Sequence, residues 1–124
     1  MTTNSAAGHE TGGLFAAIDR QDAAAFVAFL TEDAVFRFGS APVVQGRDAI
    51  RAAVDGFFGT IAACSHDVHK TLASGSTLVC EGEVTYCRQN DTEITLPFTD
   101  VFEYDGNLIS QYKIYIDINP LYAD

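Results

Sequence analysis

Thr92-Glu93-Ile94-Thr95-Leu96-Pro97-Phe98-Thr99-Asp100-Val101-Phe102-Glu103-Tyr104 is the stretch whose reading decides the fold class. Counted by twos, Ile94, Leu96, Phe98, Asp100, Phe102 and Tyr104 share one face, the period of a half-buried strand. Asp105-Gly106-Asn107 then makes a tight hairpin, because glycine accepts the positive φ such turns need, and Leu108–Ile118 forms the next strand. Upstream, Leu78–Arg88 and Cys64–Leu72 read as two more strands. The turns Gln89-Asn90-Asp91 and Ser74-Gly75-Ser76 separate them.

The first half of the chain has a different period. Leu14, Phe15 and Ile18 lie at helical spacing, and Asp19-Arg20-Gln21-Asp22 interrupts them. Asp22 is placed to cap a second helical run containing Phe26, Val27, Phe29 and Leu30. Ala34–Phe38 reads as a strand, and Pro42 begins a short extended piece ending at Gly46. Arg47–Ala63 suits a helix, with Ile50, Val54, Phe57, Phe58 and Ile61 on one face. Helices first and a long meander second predict an α+β fold: a curved antiparallel sheet packed on N-terminal helices and bent into a cone. Cones of this kind hold small ligands.

The totals bound the function. At 124 residues, 48% of them hydrophobic, the chain supports one domain, read here as residues 13–124 after a flexible tail over residues 1–12. The formal charge of −10 repels phosphate backbones and anionic lipid, so neither nucleic acid nor a membrane is an expected partner. No apolar run approaches the roughly 20 residues needed to cross a bilayer. Cys64, Cys80 and Cys87 are odd in number, form no CxxC pair, and fit reduced thiols in a cytoplasmic protein. No Cys/His set has zinc-like spacing, so no metal site is expected. There is no Gly-rich phosphate loop or nucleophile elbow, and no cofactor is expected.

In order and spacing the motifs resemble the SnoaL-like domains of the nuclear transport factor 2-like superfamily. Asp22, Leu30-Thr31-Glu32-Asp33-Ala34-Val35 and Gly46-Arg47-Asp48-Ala49-Ile50 resemble the opening of these domains. His66, Glu81-Gly82-Glu83-Val84-Thr85-Tyr86, Leu96-Pro97, Asp105-Gly106 and Tyr115-Ile116-Asp117 with Pro120-Leu121 resemble one subgroup. The resemblance spans about residues 14 to 122. It implies a cystatin-like α+β barrel with an apolar cone, and homodimers formed through the open sheet face. Ketosteroid isomerase, polyketide cyclases, limonene epoxide hydrolase, scytalone dehydratase and plain binding subunits all share this scaffold, so fold does not choose the function.

Asp100 is the sharpest candidate. A carboxyl in an apolar stripe is desolvated, which raises its pKa and could keep it protonated as a donor. Its place is similar to that of the neutral aspartic acid that holds the oxyanion in ketosteroid isomerase. The competing reading is a structural carboxylate tied to a backbone or tyrosine partner. The rest of the isomerase pattern is missing, with Leu14 at the tyrosine donor's place and Phe38 at the base's. The epoxide-hydrolase pattern is replaced by Glu83, Thr85 and Ile114.

His66 shares the Cys64, Val68 and Leu72 face and is either a general base or acid, or a neutral core histidine. Asp117, where the resemblance to polyketide cyclases suggests acid–base work, has the outward parity of Gln111, Lys113 and Tyr115. It either turns inward at a bulge, or is a capping or dimer-contact residue. Phe36 and Phe38 are expected to line the cone, leaving Arg37 outside and paired to an acid. Phe57, Phe98, Phe102 and Ile114 join that wall, with Tyr86, Tyr104 and Tyr112 offering hydroxyls.

Two functional expectations follow. One is a cofactor-independent isomerase, cyclase or dehydratase acting on a hydrophobic oxygenated substrate, with Asp100 holding an oxyanion or donating a proton, His66 as base and Asp117 orienting or relaying. The alternative is a non-catalytic binding module for an apolar small ligand.

Overall fold

The computed structural model describes residues 11–123. Most of the tail expected over residues 1–12 lies outside them. Thr11 precedes α1 (Gly12–Asp19), which buries Leu14, Phe15 and Ala17. In α2 (Ala23–Val27) Asp22 is the N-cap, its Oδ1 accepting from the Ala25 amide at 3.0 Å. Then come β1 (Leu30–Phe38), β2 (Val44–Gln45) and α3 (Arg47–Phe58). Four long strands follow, β3 (Ala63–Ser74), β4 (Thr77–Cys87), β5 (Glu93–Asp105) and β6 (Leu108–Tyr115), with α4 (Asn119–Tyr122) closing the chain.

The strands form one six-stranded sheet in the order β2-β1-β6-β5-β4-β3. The meander β3–β6 is antiparallel as expected, but β1 lies parallel to β6, Phe36 opposite Tyr112 and Phe38 opposite Ile114. The expectation of a wholly antiparallel sheet curved into a cone or barrel on N-terminal helices is therefore wrong. The sheet is mixed and open, and its helices are spread along the chain, α3 in the middle and α4 at the C-terminal end. Edge strands β2 and β3 do not pair, and β2 with its two residues presents too few backbone groups for a closing ladder.

Two boundaries also differ from expectation. Leu30 opens β1 instead of extending α2, because it pairs with Ile109 while the Ile109 amide donates to Phe29 O at 2.9 Å. Long-range pairing outcompetes local helical spacing there. Helix α3 stops at Phe58, not Ala63; Gly59 follows it, and the Thr60 hydroxyl donates to Phe57 O at 2.7 Å. Ile61 is still buried, but from the loop.

A bulge in β3 shapes the site. Val68 pairs with Gly82 and Lys70 with Glu81, so His69 is an extra residue and side-chain parity reverses beyond it. Thr71 consequently faces Cys80, and Leu72, expected on the His66 face, is 56% exposed. Gly82 permits the bulge: a Cβ there would lie 2.1 Å from Asp67 O.

Candidate functional site

Alternation along β5 buries Leu96, Phe98, Asp100, Phe102 and Tyr104 together, and Asp100 is only 1% exposed. Tyr112, from neighbouring β6, donates its hydroxyl to Asp100 Oδ2 at 2.9 Å. The other oxygen, Oδ1, is buried without a hydrogen-bond partner among the described residues. Burial raises the Asp100 carboxyl from 3.8 to about 7, with the Tyr112 bond pulling the other way. Burial first, and the Asp100 charge second, push the Tyr112 phenol well above its ordinary range.

His66 stands on β3, its ring 5.1 Å from that of Phe15 and 5.3 Å from that of Phe98. The Asp19 carboxylate, at the end of α1, holds it at two points. Asp19 Oδ1 lies 2.6 Å from Nδ1, and Oδ2 accepts from the His66 amide at 3.0 Å. A carboxylate only accepts, so Nδ1 carries the proton in the neutral ring and Nε2 keeps its lone pair. Burial lowers the His66 pKa, and the Asp19 bond and charge oppose that shift. The Cys64 thiol, two residues earlier on the same face, lies 3.6 Å from Ile18 O and 3.8 Å from Asp19 Oδ1. Burial, with the Asp19 charge beside it, pushes that thiol up to about 12.

Asp100 and His66 line one cavity of about 180 Å³ between the sheet and the helices. Its wall is almost wholly hydrocarbon and ring. Phe36 and Phe38 enter from β1, Phe57 from α3, Tyr86 from β4, Phe98 from β5, and Tyr112 and Ile114 from β6. Phe38 meets Phe57 edge-on at 4.9 Å, and Phe57 meets Tyr86 at 5.6 Å. Ala41, Pro42 and Val44, around the β1–β2 connection, form one side, and among the described residues no lysine or arginine lines the space.

Three expected residues fall outside this wall. Phe102 is fully buried behind Tyr112, ring centroids 4.5 Å apart, and Tyr104 is buried further along the stripe. Asp117 lies beyond the end of β6 and is exposed; its Oδ1 accepts from the Asn119 amide at 3.1 Å. It borders a shallow groove on the outer sheet face with His69, Glu81, Glu83 and Tyr115. No bulge turns it inward, so it acts as a turn cap there. Arg37 is exposed as expected, but its Nε donates to Ala41 O at 3.2 Å and no acid pairs with it among the described residues.

Asp19 is the residue that sequence reading missed. It lay in the polar interruption between two helices, and no local period links it to a histidine 47 positions away. With it, the structure gathers one ligand-type atom each from Asp19, Cys64 and His66, all within 4.8 Å of one another. All three cysteines are free thiols. Among the described residues no helix is long and apolar enough to cross a membrane.

Comparison with solved structures finds the same fold in distant chains. A nuclear transport factor 2-like protein of unknown function from Burkholderia pseudomallei K96243 superposes with a TM-score of 0.80 at 18% identity, covering 88% of each chain. A hypothetical protein with a ketosteroid isomerase-like fold from Catenulispora acidiphila DSM 44928, in complex with trimethylamine, gives 0.77 at 15% identity, covering 83% of this chain and 81% of that one. An LEH-like epoxide hydrolase from M. tuberculosis gives 0.74 at 17% identity, covering 89% and 81%. At these identities the likeness is one of fold. No curated protein matches the chain. The SnoaL-like domain pattern, however, matches residues 12–112, most of the sequence, and the chain belongs to the SnoaL-like domain family.

Proposed function

We propose that this protein is a cofactor-independent acid–base catalyst, of isomerase, cyclase or dehydratase type, acting on an apolar oxygenated small molecule. The observation that carries the proposal is the presence of Asp100 and the Asp19-supported His66 in the wall of one apolar cavity. His66 Nε2 takes a proton from the substrate, a role worth about 10²–10⁴ in rate. Asp19 fixes the ring and balances the imidazolium as it forms. Because Tyr112 occupies Oδ2, the proton of a neutral Asp100 belongs on Oδ1, a buried atom of a residue in the cavity wall. That donor meets the oxygen on which charge develops, where one such hydrogen bond is worth about 10²–10³ in rate. A wall without lysine or arginine among the described residues offers no fixed positive charge and so disfavours anionic substrates. Asp117 has no part in this scheme, since it lies on the far side of the sheet.

The test works before the natural substrate is identified. A panel of apolar ketones and enones is incubated with the protein in D₂O, and deuterium uptake beside the carbonyl is followed by NMR. Catalysed uptake that disappears in His66→Gln supports proton abstraction at this site. Saturable binding without uptake across the panel supports the second reading, a binding module. That reading is favoured by Phe38 and Leu14 at the positions where the isomerase base and tyrosine would stand. The trimethylamine complex of the Catenulispora relative is consistent with either.

A further inference from the structure

We infer that Asp19, Cys64 and His66 form a binding site for a thiophilic divalent cation of the Zn²⁺ class, at one side of the cavity. The three groups supply a carboxylate oxygen, a thiolate sulfur and an imidazole nitrogen, a donor set suited to zinc. Bond lengths to zinc of about 2.3 Å for sulfur and about 2.1 Å for nitrogen and oxygen set tetrahedral edges of about 3.6 Å for S···O and about 3.4 Å for N···O. Cys64 Sγ already lies 3.8 Å from Asp19 Oδ1. The His66 Nδ1 to Asp19 Oδ1 contact, 2.6 Å, is a hydrogen-bond length, and it opens when the ion replaces the shared proton. Cys64 and His66 alternate on one face of β3 and both line the cavity, which leaves room there for a fourth ligand such as water. Asp19 is partly exposed, with 29% of its side chain accessible, and gives the ion a route in. The His66 amide, bonded to Oδ2, orients the carboxylate from behind.

The proton balance has a consequence for the site. The cation takes the Nδ1 lone pair, so the ring proton moves to Nε2 and His66 presents a donor to the cavity instead of a base. The Cys64 thiol releases its proton to solvent. Because binding releases that proton, it strengthens as pH rises. Zinc and substrate-proton abstraction are thus mutually exclusive. This last consequence rests on the proposed function, whereas metal binding itself does not.

Cd²⁺ serves as the probe, titrated into the reduced full chain while the ultraviolet thiolate-to-cadmium charge-transfer band is followed; Zn²⁺ is then added as competitor. One equivalent of Cd²⁺ is expected to give the band, and Zn²⁺ to erase it. Cys64→Ser should lose the band, while Cys87→Ser should keep it. Asp19→Asn should weaken binding by at least about tenfold, since loss of even an outer-shell partner costs that much. Nitrogen-15 NMR of His66 should show Nδ1 as the bound atom and the proton on Nε2. Circular dichroism confirms that each variant is folded; should Cys64→Ser fail to fold, the His66 spectrum decides alone. A band that survives Cys64→Ser, no band with wild type, or an unchanged His66 spectrum overturns the site. Deuterium uptake measured with and without Zn²⁺ then addresses the catalytic reading separately.

Discussion

Tyr112 and Asp100 face each other across β5 and β6, the phenol donating to Oδ2 at 2.9 Å while Oδ1 has no partner among the described residues. A buried carboxyl with one donor and one vacant oxygen is poised between charge states. The unfolded chain releases this proton near the ordinary 3.8, whereas the folded chain holds it to about 7. The folded state therefore binds more protons within that window. Asp100's contribution to stability is full below it and falls as pH rises through it, by up to about 1.4 kcal/mol per pH unit. Urea midpoints measured from about pH 4 to about pH 8 are expected to show this decline in wild type and a flatter profile in Asp100→Asn. Parallel profiles would remove Asp100 as the cause.

Tyr112→Phe isolates the hydrogen bond. The bond favours the ionised carboxyl, so its loss moves the Asp100 pKa upward. It also strips Oδ2 of its partner, at a cost of about 1–3 kcal/mol. Carbon-13 NMR of the carboxyl should find its inflection above the wild-type value, and a downward move would contradict the arrangement.

His66 has the opposite pH dependence. Burial depresses its pKa below 6.5 in the folded state, so its contribution to stability is present above 6.5 and is lost as pH falls. Asp19→Asn removes an opposing, pKa-raising contribution and is expected to move the nitrogen-15 titration to lower pH. Deuterium uptake should fall in this variant, but by less than the roughly 10²–10⁴-fold loss expected of His66→Gln. Equal losses would show that Asp19 does more than position the ring.

Two glycines give opposite expectations. Gly82→Ala places its Cβ 2.1 Å from Asp67 O and 2.9 Å from Val68 Cα, both backbone atoms that cannot step aside. It should cost at least about 2 kcal/mol in denaturant unfolding and disturb the strand that carries His66. Gly56→Ala, inside α3 where an added Cβ meets no other part of the fold within 4 Å among the described residues, should stabilise by about 0.5–1 kcal/mol.

Much of the site was legible because β5 alternates so regularly. Once Asp100 falls in the same register as Phe98 and Phe102, burying them buries the carboxyl. The same count went wrong along β3, where the extra residue His69 inverts parity and turns Leu72 outward. It also could not tell wall from core: Phe102 shares the face of Phe98 but sits behind Tyr112.

The sequence by itself determined the four-strand meander, the middle of each of the first three helices, the family, and the desolvation of Asp100, because side-chain period and composition are properties of neighbouring residues. Tertiary structure decided what depends on distant ones: β1 parallel to β6, a sheet left open, Asp19 seated on His66, and Asp117 placed on the far face. No local period encodes strand direction or a contact spanning 47 positions, since each is fixed by which edges and faces remain unpaired once the meander has formed.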